Sequence, residues 1–197
     1  HIPVVRNVQD LFPQSAIDLG VLTSKMLIRI FQKLERWLYA NVDVVTVHSE
    51  GNRDYVLNHG GKPDLTYVVP NSVDTAFIQP GVKDNGIRRE LGLDGQFVVS
   101  FAGVMGYSQD LHVVLEAAAQ LRGRDEIRFL LVGDGVERAR LEDKAERLDL
   151  DNVDWMPMQP RDRYVKVLQA SDAGLATLRA GVHTPTVPSK ILSIMAA

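Results

Sequence analysis

Three turns carry the residues of this sequence that are best suited to chemistry. Each precedes a helical pattern, and the first two follow an apolar segment. The first contains Val104 and Met105 between two glycines, Gly103 and Gly106. Glycines between a strand and a helix let the backbone approach a phosphate, and the helix start adds free N–H groups. The Gly-x-x-Gly spacing matches neither the dinucleotide fingerprint nor the P-loop. A plain tight turn is therefore the alternative interpretation.

The second turn, Gly133-Asp134-Gly135, follows the apolar run Phe-Leu-Leu-Val. Two glycines around an aspartate again suit a tight turn near a ligand. Asp134 alternatively serves as the N-cap of the following helix, because aspartate is favoured at that position.

The third turn places Pro188, Ser189 and Lys190 at the predicted start of a helix. Proline is common in a first helical turn. Backbone N–H groups, a hydroxyl and an ammonium can together hold an anion there. The alternative for Lys190 is a solvated lysine, which is the usual state of this residue type.

Strands and helices that could position these turns alternate along the whole chain. Such repeated strand–helix units predict an α/β fold with parallel sheets, and several strands are continuous apolar runs typical of strands covered on both faces. The predicted strands are 4–8, 42–48, 65–69, 97–102, 127–132, 153–156 and 173–177, and the predicted helices are 22–40, 52–59, 111–122, 136–148, 161–169 and 189–197. Residues 71–96 are rich in proline and glycine, which indicates a domain at 1–80, a connector at 81–96 and a second domain at 97–197.

Composition excludes several classes of function. The 197 residues carry 22 basic and 25 acidic side chains, which gives a net charge of −3. Nucleic-acid-binding domains are typically basic, so this composition does not indicate a nucleic-acid-binding protein. The absence of cysteine excludes disulfides, thiolate nucleophiles and cysteine-based zinc sites. The five histidines lack metal-ligand spacing, so no metal site is predicted. No apolar run approaches the ~18 residues of a membrane span. The sequence starts without an initiator methionine and stops inside a helical pattern. These two features predict an internal piece of a longer protein.

The helix predicted from Leu22 to Ala40 is amphipathic and basic. Its apolar stripe suits a helix that covers a sheet. Its four basic residues, Lys25, Arg29, Lys33 and Arg36, lie near one face of the helix, and Glu35 is the single acid among them. A basic amphipathic helix also suits the surface of an anionic bilayer, and both interpretations remain open.

Seven short segments along the chain form an ordered series. They are Val45-Thr46-Val47-His48-Ser49-Glu50, Val68-Val69-Pro70-Asn71-Ser72-Val73-Asp74, Arg89-Glu90-Leu91-Gly92-Leu93, Phe101-Ala102-Gly103, Leu115-Glu116-Ala117-Ala118, Leu131-Val132-Gly133-Asp134-Gly135 and Met195-Ala196-Ala197. Taken together and in order, these segments resemble glycosyltransferase family 4. Two further segments, residues 8–13 and 187–190, most resemble the subgroup that transfers N-acetylated amino sugars such as N-acetylfucosamine in bacterial surface-polysaccharide assembly.

The resemblance implies two Rossmann-like domains that face each other across a cleft, both incomplete in this chain. It implies a metal-independent, retaining glycosyltransferase of the hexosyltransferase type without a cofactor. The substrates would be a UDP-sugar and a glycan or polyprenyl-linked acceptor, with no nucleic acid as partner. The protein would be cytoplasmic, with peripheral contact to the inner face of the membrane through residues 22–40.

The resemblance also implies places for the site residues. The loop from Gly103 to Gly106 would face the pyrophosphate, Met156 and Pro157 would lie beside the base, and the helix start from Pro188 to Lys190 would lie near the phosphates and sugar. Asp10 would lie near the acceptor as the catalytic candidate.

The sequence departs from the family pattern at three places, and these departures weaken the catalytic assignment. In the first glycine loop, many family members have an arginine and a lysine, and this chain has Val104 and Gln109. At the two glutamates of the family's Glu-x7-Glu motif, it has Pro185 and Ser193. At a position where family members often have a histidine, it has Gln9. Lys190 is the nearest substitute for the missing charge. Two alternatives follow: a UDP-sugar 2-epimerase of the same architecture, or a non-catalytic nucleotide-binding α/β module.

Overall fold

The computed structural model describes residues 2–197, which form two compact units. Unit 1 comprises the chain up to residue 72 together with 180–188, and unit 2 comprises 73–179 together with 189–197. Each unit is built on its own parallel sheet, so the predicted α/β class with parallel sheets is confirmed.

Unit 1 contains a three-stranded sheet in the order β1-β2-β3. Its elements are β1 (Val5–Val8), α1 (Gln14–Asp18), α2 (Lys25–Asn41), β2 (Val44–Val47), α3 (Glu50–Asn58), a 3-10 helix (Pro63–Leu65) and β3 (Thr66–Val68). The apolar core gathers Val8, Tyr39, Val45, Val47 and Val56 between the sheet and the helices.

The segment 180–188 is held within unit 1 by one carboxylate. Asp18 Oδ2 accepts hydrogen bonds from the backbone N–H of His183 (3.0 Å) and from the N–H and hydroxyl of Thr184 (2.9 and 3.1 Å). Asp18 ends the five-residue helix α1, which the sequence analysis did not predict.

Unit 2 contains a four-stranded sheet in the order β6-β5-β4-β7. Its elements are α4 (Gly86–Leu91), β4 (Phe97–Ala102), α5 (His112–Gln120), β5 (Ile127–Val132), α6 (Arg138–Arg147), β6 (Val153–Met156), α7 (Arg161–Ala170), β7 (Ala173–Gly174) and α8 (Lys190–Ala196). Alternate residues of β4 and β5 enter two different cores, because helices cover both faces of the sheet. This explains the continuous apolar runs of the sequence.

The predicted connector at 81–96 is folded onto this sheet. Ile87 and Leu93 belong to the core that also contains Val98. The buried Arg88 donates hydrogen bonds to the carbonyls of Leu93 (3.0 Å), Gln96 (2.9 Å) and Ala170 (2.8 Å), and to Asp172 (2.6 Å). A buried guanidinium needs such partners to offset its lost hydration. The segment is therefore fixed to β4 and to the end of α7.

Candidate functional site

Three strands of unit 2 end side by side at one edge of the sheet. Ala102 at the end of β4 is paired with Val132 at the end of β5, and Val132 with Met156 at the end of β6. In open parallel sheets, ligands bind beyond the carboxyl ends of the strands. The first two predicted glycine turns leave the sheet at this edge.

The two glycine turns pack backbone against backbone. The N–H of Gly103 donates to the Val132 carbonyl (2.9 Å), and the N–H of Met105 donates to the Asp134 carbonyl (2.8 Å). Gly133 has a φ of +143°, and a Cβ there would overlap the carbonyl of Gly103. Glycine at 133 is thus required both by its conformation and by the neighbouring turn.

The side chains of the first loop are divided between surface and core. Val104 is exposed and Gly106 is half-buried, with its N–H bonded to Gln109 Oε1 (3.1 Å). Met105, predicted as a donor contact, instead has a fully buried side chain in the core. Its carbonyl also accepts a hydrogen bond, from the N–H of Glu137 (3.1 Å). The surface of this loop is therefore formed by Gly103, Val104 and Gly106.

The third strand end shows the same division. Met156 is predicted to lie beside the base. Its side chain is instead buried in the core that also contains Val98, on one of the two helix-covered faces of the sheet. Pro157 is exposed at the sheet edge. Of this predicted pair, the proline is the residue that a ligand can reach.

Two of the capping interpretations are corrected. Asp134 does not cap α6, because that helix begins at Arg138 and the Asp134 carboxylate instead accepts from the N–H of Gly135 (2.7 Å). Pro188 is not in the first turn of α8, which begins at Lys190. Ser189 occupies the N-cap position, is exposed and makes no side-chain cap hydrogen bond. The ammonium of Lys190 is thus the distinctive group of the third turn.

Lys190 lies against the first glycine loop and is half-buried. Its Nζ is 3.8 Å from the centroid of the Phe101 ring, and a Cβ built on Gly103 would be 3.1 Å from the same Nζ. Within residues 2–197 it has no ion pair, and burial lowers the pKa of its amine to about 8. The aromatic face compensates part of the lost hydration. The structure thus brings an amine with no ion pair among the described residues to the first glycine loop, which has Val104 and Gln109 in place of basic residues.

Asp10 lies in unit 1, two residues beyond the end of β1, and is exposed. It lines a cavity of about 210 Å³ whose other walls are Arg6, Phe12, Phe31, Leu34, Glu35, Leu38 and Tyr39. Glu35, the single acid among the basic residues of this helix, is buried; its Oε1 accepts from the Tyr39 hydroxyl (3.2 Å). Burial raises the pKa of the Glu35 carboxyl. A single acid among basic residues gave no signal that it faces inward.

The solvent face of α2 has two adjacent halves. At about 100° per residue, the exposed basic residues Lys25, Arg29, Lys33 and Arg36 fall within an arc of about 80°. The adjoining arc carries exposed apolar side chains: Met26 (68% exposed), Leu27 (41%), Ile30 (50%), Leu34 (52%) and Trp37 (63%). Among the described residues, none of the four basic side chains has an acid within ion-pair distance. Most of the apolar stripe therefore does not cover the sheet.

Within residues 2–197, no group of three or more metal-ligating side chains is close enough to hold an ion. No helix in the same range has both the length and the apolar character to cross a bilayer.

Comparison with sequence families gives two matches that together span most of the chain. Residues 83–193 match the family described as glycosyl transferases group 1. Residues 1–77 match the family described as glycosyltransferase family 4. The first match covers more than half of the chain.

The curated relatives are glycosyltransferases. WcaI of Escherichia coli (strain K12), named for colanic acid biosynthesis, is 29% identical over 199 residues, which cover 98% of this chain and 48% of WcaI. The D-inositol 3-phosphate glycosyltransferase of Nocardia farcinica is 34% identical over 149 residues, which cover 70% of this chain and 33% of the relative. The chain thus spans about half or less of the length of these relatives.

Solved structures share the fold of the chain. Alr3699/HepE of Anabaena, crystallised with UDP-glucose, superposes with a TM-score of 0.78 at 20% sequence identity. The superposition covers 98% of this chain and 51% of the Alr3699/HepE chain. WaaG, a glycosyltransferase involved in lipopolysaccharide biosynthesis, gives a TM-score of 0.78 at 17% identity, with 99% of this chain and 55% of WaaG covered. These likenesses establish the fold, and the family matches establish membership: the chain belongs to the group 1 glycosyl transferases, with a family 4 segment at its start.

Proposed function

We propose that the whole protein transfers an N-acetylated amino sugar from a UDP-sugar to a lipid-linked glycan acceptor in bacterial surface-polysaccharide synthesis. Unit 2 would bind the donor, and unit 1 would belong to the acceptor side. The observation that carries the proposal is the Lys190 amine, which lies against the glycine loop at the carboxyl end of β4 and has no carboxylate partner among residues 2–197.

The donor diphosphate suits this place for two reasons. Gly103 and Gly106 carry no Cβ, so a phosphate oxygen can come close to the backbone. The Lys190 ammonium can form a charge-assisted hydrogen bond to the phosphate, which offsets the cost of its own burial. The exposed Val104 and Pro157 would then contact the uncharged parts of the donor.

The reaction needs stabilisation of its leaving group. The acceptor hydroxyl oxygen forms a bond to the anomeric carbon, the bond from that carbon to the diphosphate oxygen breaks, and the hydroxyl proton goes to a base. UDP departs with the bonding electrons, so negative charge develops beside Lys190, where a fixed cation is most effective. This arrangement supports a metal-independent transferase. We assign retention of anomeric configuration from the family resemblance, and Asp10 as the acidic candidate beside the acceptor.

The kind of sugar and acceptor follows from sequence likeness. The segments 8–13 and 187–190 resemble the N-acetylamino-sugar subgroup. Relatives named for colanic acid biosynthesis and for O-antigen chain mannosyl transfer support a role in polysaccharide synthesis. A polyprenyl-linked acceptor would require work at a membrane surface. The basic and apolar halves of α2 support peripheral attachment to the inner face of the cell membrane, from the cytoplasm.

A transfer assay on the full-length protein tests the proposal. UDP-N-acetylamino sugars and a polyprenyl-diphosphate-linked sugar are supplied, and UDP release and the elongated lipid product are measured. Acceptor-dependent release of UDP with product formation is the expected result. Isomerisation of the sugar without transfer would identify an epimerase, and UDP binding without turnover would identify a non-catalytic module; either outcome would refute the proposal.

Gly106→Val tests the approach of the phosphate to the first loop. The added Cβ would meet the flexible Gln109 side chain 3.1 Å away, and Gly106 has no positive φ, so the fold should tolerate the change. The valine methyls would instead occupy space beside the loop backbone. We expect UDP affinity, measured by calorimetry, to fall about fivefold, roughly 1 kcal/mol, with an unchanged melting temperature.

The matched control is Gly86→Val at the start of α4. A Cβ at Gly86 meets no atom within 4 Å, and this glycine also has no positive φ. It should leave UDP affinity unchanged. Equal affinities for the two variants would show that the first loop does not face the diphosphate.

A further inference from the structure

Arg138 is the first residue of α6, and its guanidinium reaches back across the ends of two strands. Nη1 donates to the carbonyls of Gly133 and Met156, the latter at 3.1 Å. Nε donates to Glu142 Oε1 (2.8 Å), one helical turn further on. The side chain is 22% exposed, so these contacts are largely shielded from water. The guanidinium is thereby fixed from both sides.

The two carbonyls that it binds belong to the candidate donor site. Met156 ends β6, and its carbonyl also accepts the N–H of Gly133 (3.0 Å). Gly133 follows the end of β5, and within residues 2–197 Arg138 is the sole hydrogen-bond donor to its carbonyl. The second glycine turn is therefore held by two backbone hydrogen bonds, to Met156 and from Met105, and by one side chain, that of Arg138.

A shift of the second turn would be transmitted to the first. The space where a Cβ of Gly133 would lie is filled by the Gly103 carbonyl, so the two backbones are in direct contact. Gly103 in turn lies beside Lys190 Nζ. A continuous series of contacts thus runs from Arg138 through Gly133 and Gly103 to the amine that we assign to the diphosphate.

We infer that Arg138 is a positioning residue for the donor nucleotide: it sets the geometry of the glycine turns without touching the ligand. This inference rests on the proposed function. The role requires the planar fork of a guanidinium, because Nε and Nη1 bind three acceptors in different directions at the same time. The point charge of a lysine ammonium cannot reproduce that geometry.

Steady-state kinetics of the full-length protein test the role, with UDP calorimetry alongside. Arg138→Gln raises the donor KM and the dissociation constant of UDP about tenfold and leaves kcat within about threefold. Arg138→Lys has the same effect, since charge alone does not restore the turn. The acceptor KM stays unchanged. Arg147→Gln, at the exposed far end of the same helix, is the matched control and behaves as wild type.

The alternatives give different results. A merely structural role would lower kcat through a smaller folded fraction and leave the donor KM unchanged, which would overturn the inference. Full rescue by Arg138→Lys would also overturn it, because charge and not geometry would then matter. If wild type binds UDP and Arg138→Gln binds it equally, this inference alone fails. A wild-type protein that does not bind UDP would overturn the proposed function, and the inference with it.

Discussion

The full-length protein should sediment with vesicles of anionic phospholipid at low ionic strength and return to the supernatant at high salt. The expectation rests on α2, whose solvent face has a basic half and an apolar half. Each basic residue near an anionic leaflet contributes about 1 kcal/mol, screened within a Debye length. Four such residues correspond to about a thousandfold in partition coefficient.

The decisive variant replaces the basic half of α2 and leaves its apolar half intact. Changing Lys25, Arg29, Lys33 and Arg36 together to glutamine should abolish sedimentation at low salt without unfolding the domain, because all four side chains are exposed. The matched control removes four exposed charges elsewhere: Lys62, Arg122, Arg147 and Lys166. The control lowers the net charge equally and should still sediment.

The apolar half has a separate test. Trp37 is 63% exposed and borders the basic arc. Trp37→Ala should weaken vesicle binding at every salt concentration at which wild type binds, because the burial of an aromatic side chain at the bilayer interface is not screened. Binding that survives the fourfold glutamine change would show that the basic half of α2 does not attach the protein, and wild-type protein that stays in the supernatant with anionic vesicles would refute membrane attachment.

The central strands of unit 2 were predictable to the residue, and the physical reason is local. β4 and β5 have the predicted bounds because each is an apolar run that ends at a glycine with positive φ. β7 is shorter than predicted, with two residues in place of five. α1 was missed because five residues that bury no side chain carry no helical periodicity.

The residues that organise the candidate site were predictable only in part. The glycines were visible from their spacing, and Lys190 from its place two residues after Pro188 at a predicted helix start. The Lys190 amine lies over the ring of Phe101, which is far away in the sequence. From the sequence alone, Phe101 is indistinguishable from any other apolar strand residue. Arg138 gave no signal, because one of its acceptors is the carbonyl of a residue 18 positions away. Tertiary contacts of this kind leave no mark on local pattern.

Lys190→Met should weaken UDP binding about tenfold or more. A charge-assisted hydrogen bond is worth roughly 1.5–3 kcal/mol, and methionine keeps most of the apolar stem while it removes the charge. Lys166→Met, an exposed lysine on α7 of the same unit, is the matched control and should bind UDP as wild type does. Calorimetric titration of the full-length protein measures both.

The same group predicts how binding depends on pH. Burial lowers the pKa of the Lys190 amine to about 8, so the amine is charged below that value and neutral above it. The affinity of wild type for UDP should therefore be high below pH 8 and fall as pH rises through about 8. Lys190→Met should bind weakly and without this step. A wild-type affinity that stays constant from pH 6.5 to 9.5 would contradict the assignment.

The burial of this amine should also cost stability, which distinguishes a binding group from a structural one. The pKa of the amine is lower in the folded protein than the ordinary lysine value of 10.5, so between about pH 8 and 10.5 the unfolded chain binds more protons. Stability then rises with pH across that window, and the cost of charging the buried amine is present in full below it. Lys190→Met should accordingly melt higher than wild type at pH 7, and the difference should shrink toward pH 10. Weaker UDP binding together with higher stability at pH 7 is the combination that a structural lysine would not give, because the loss of a structural lysine would lower the melting temperature.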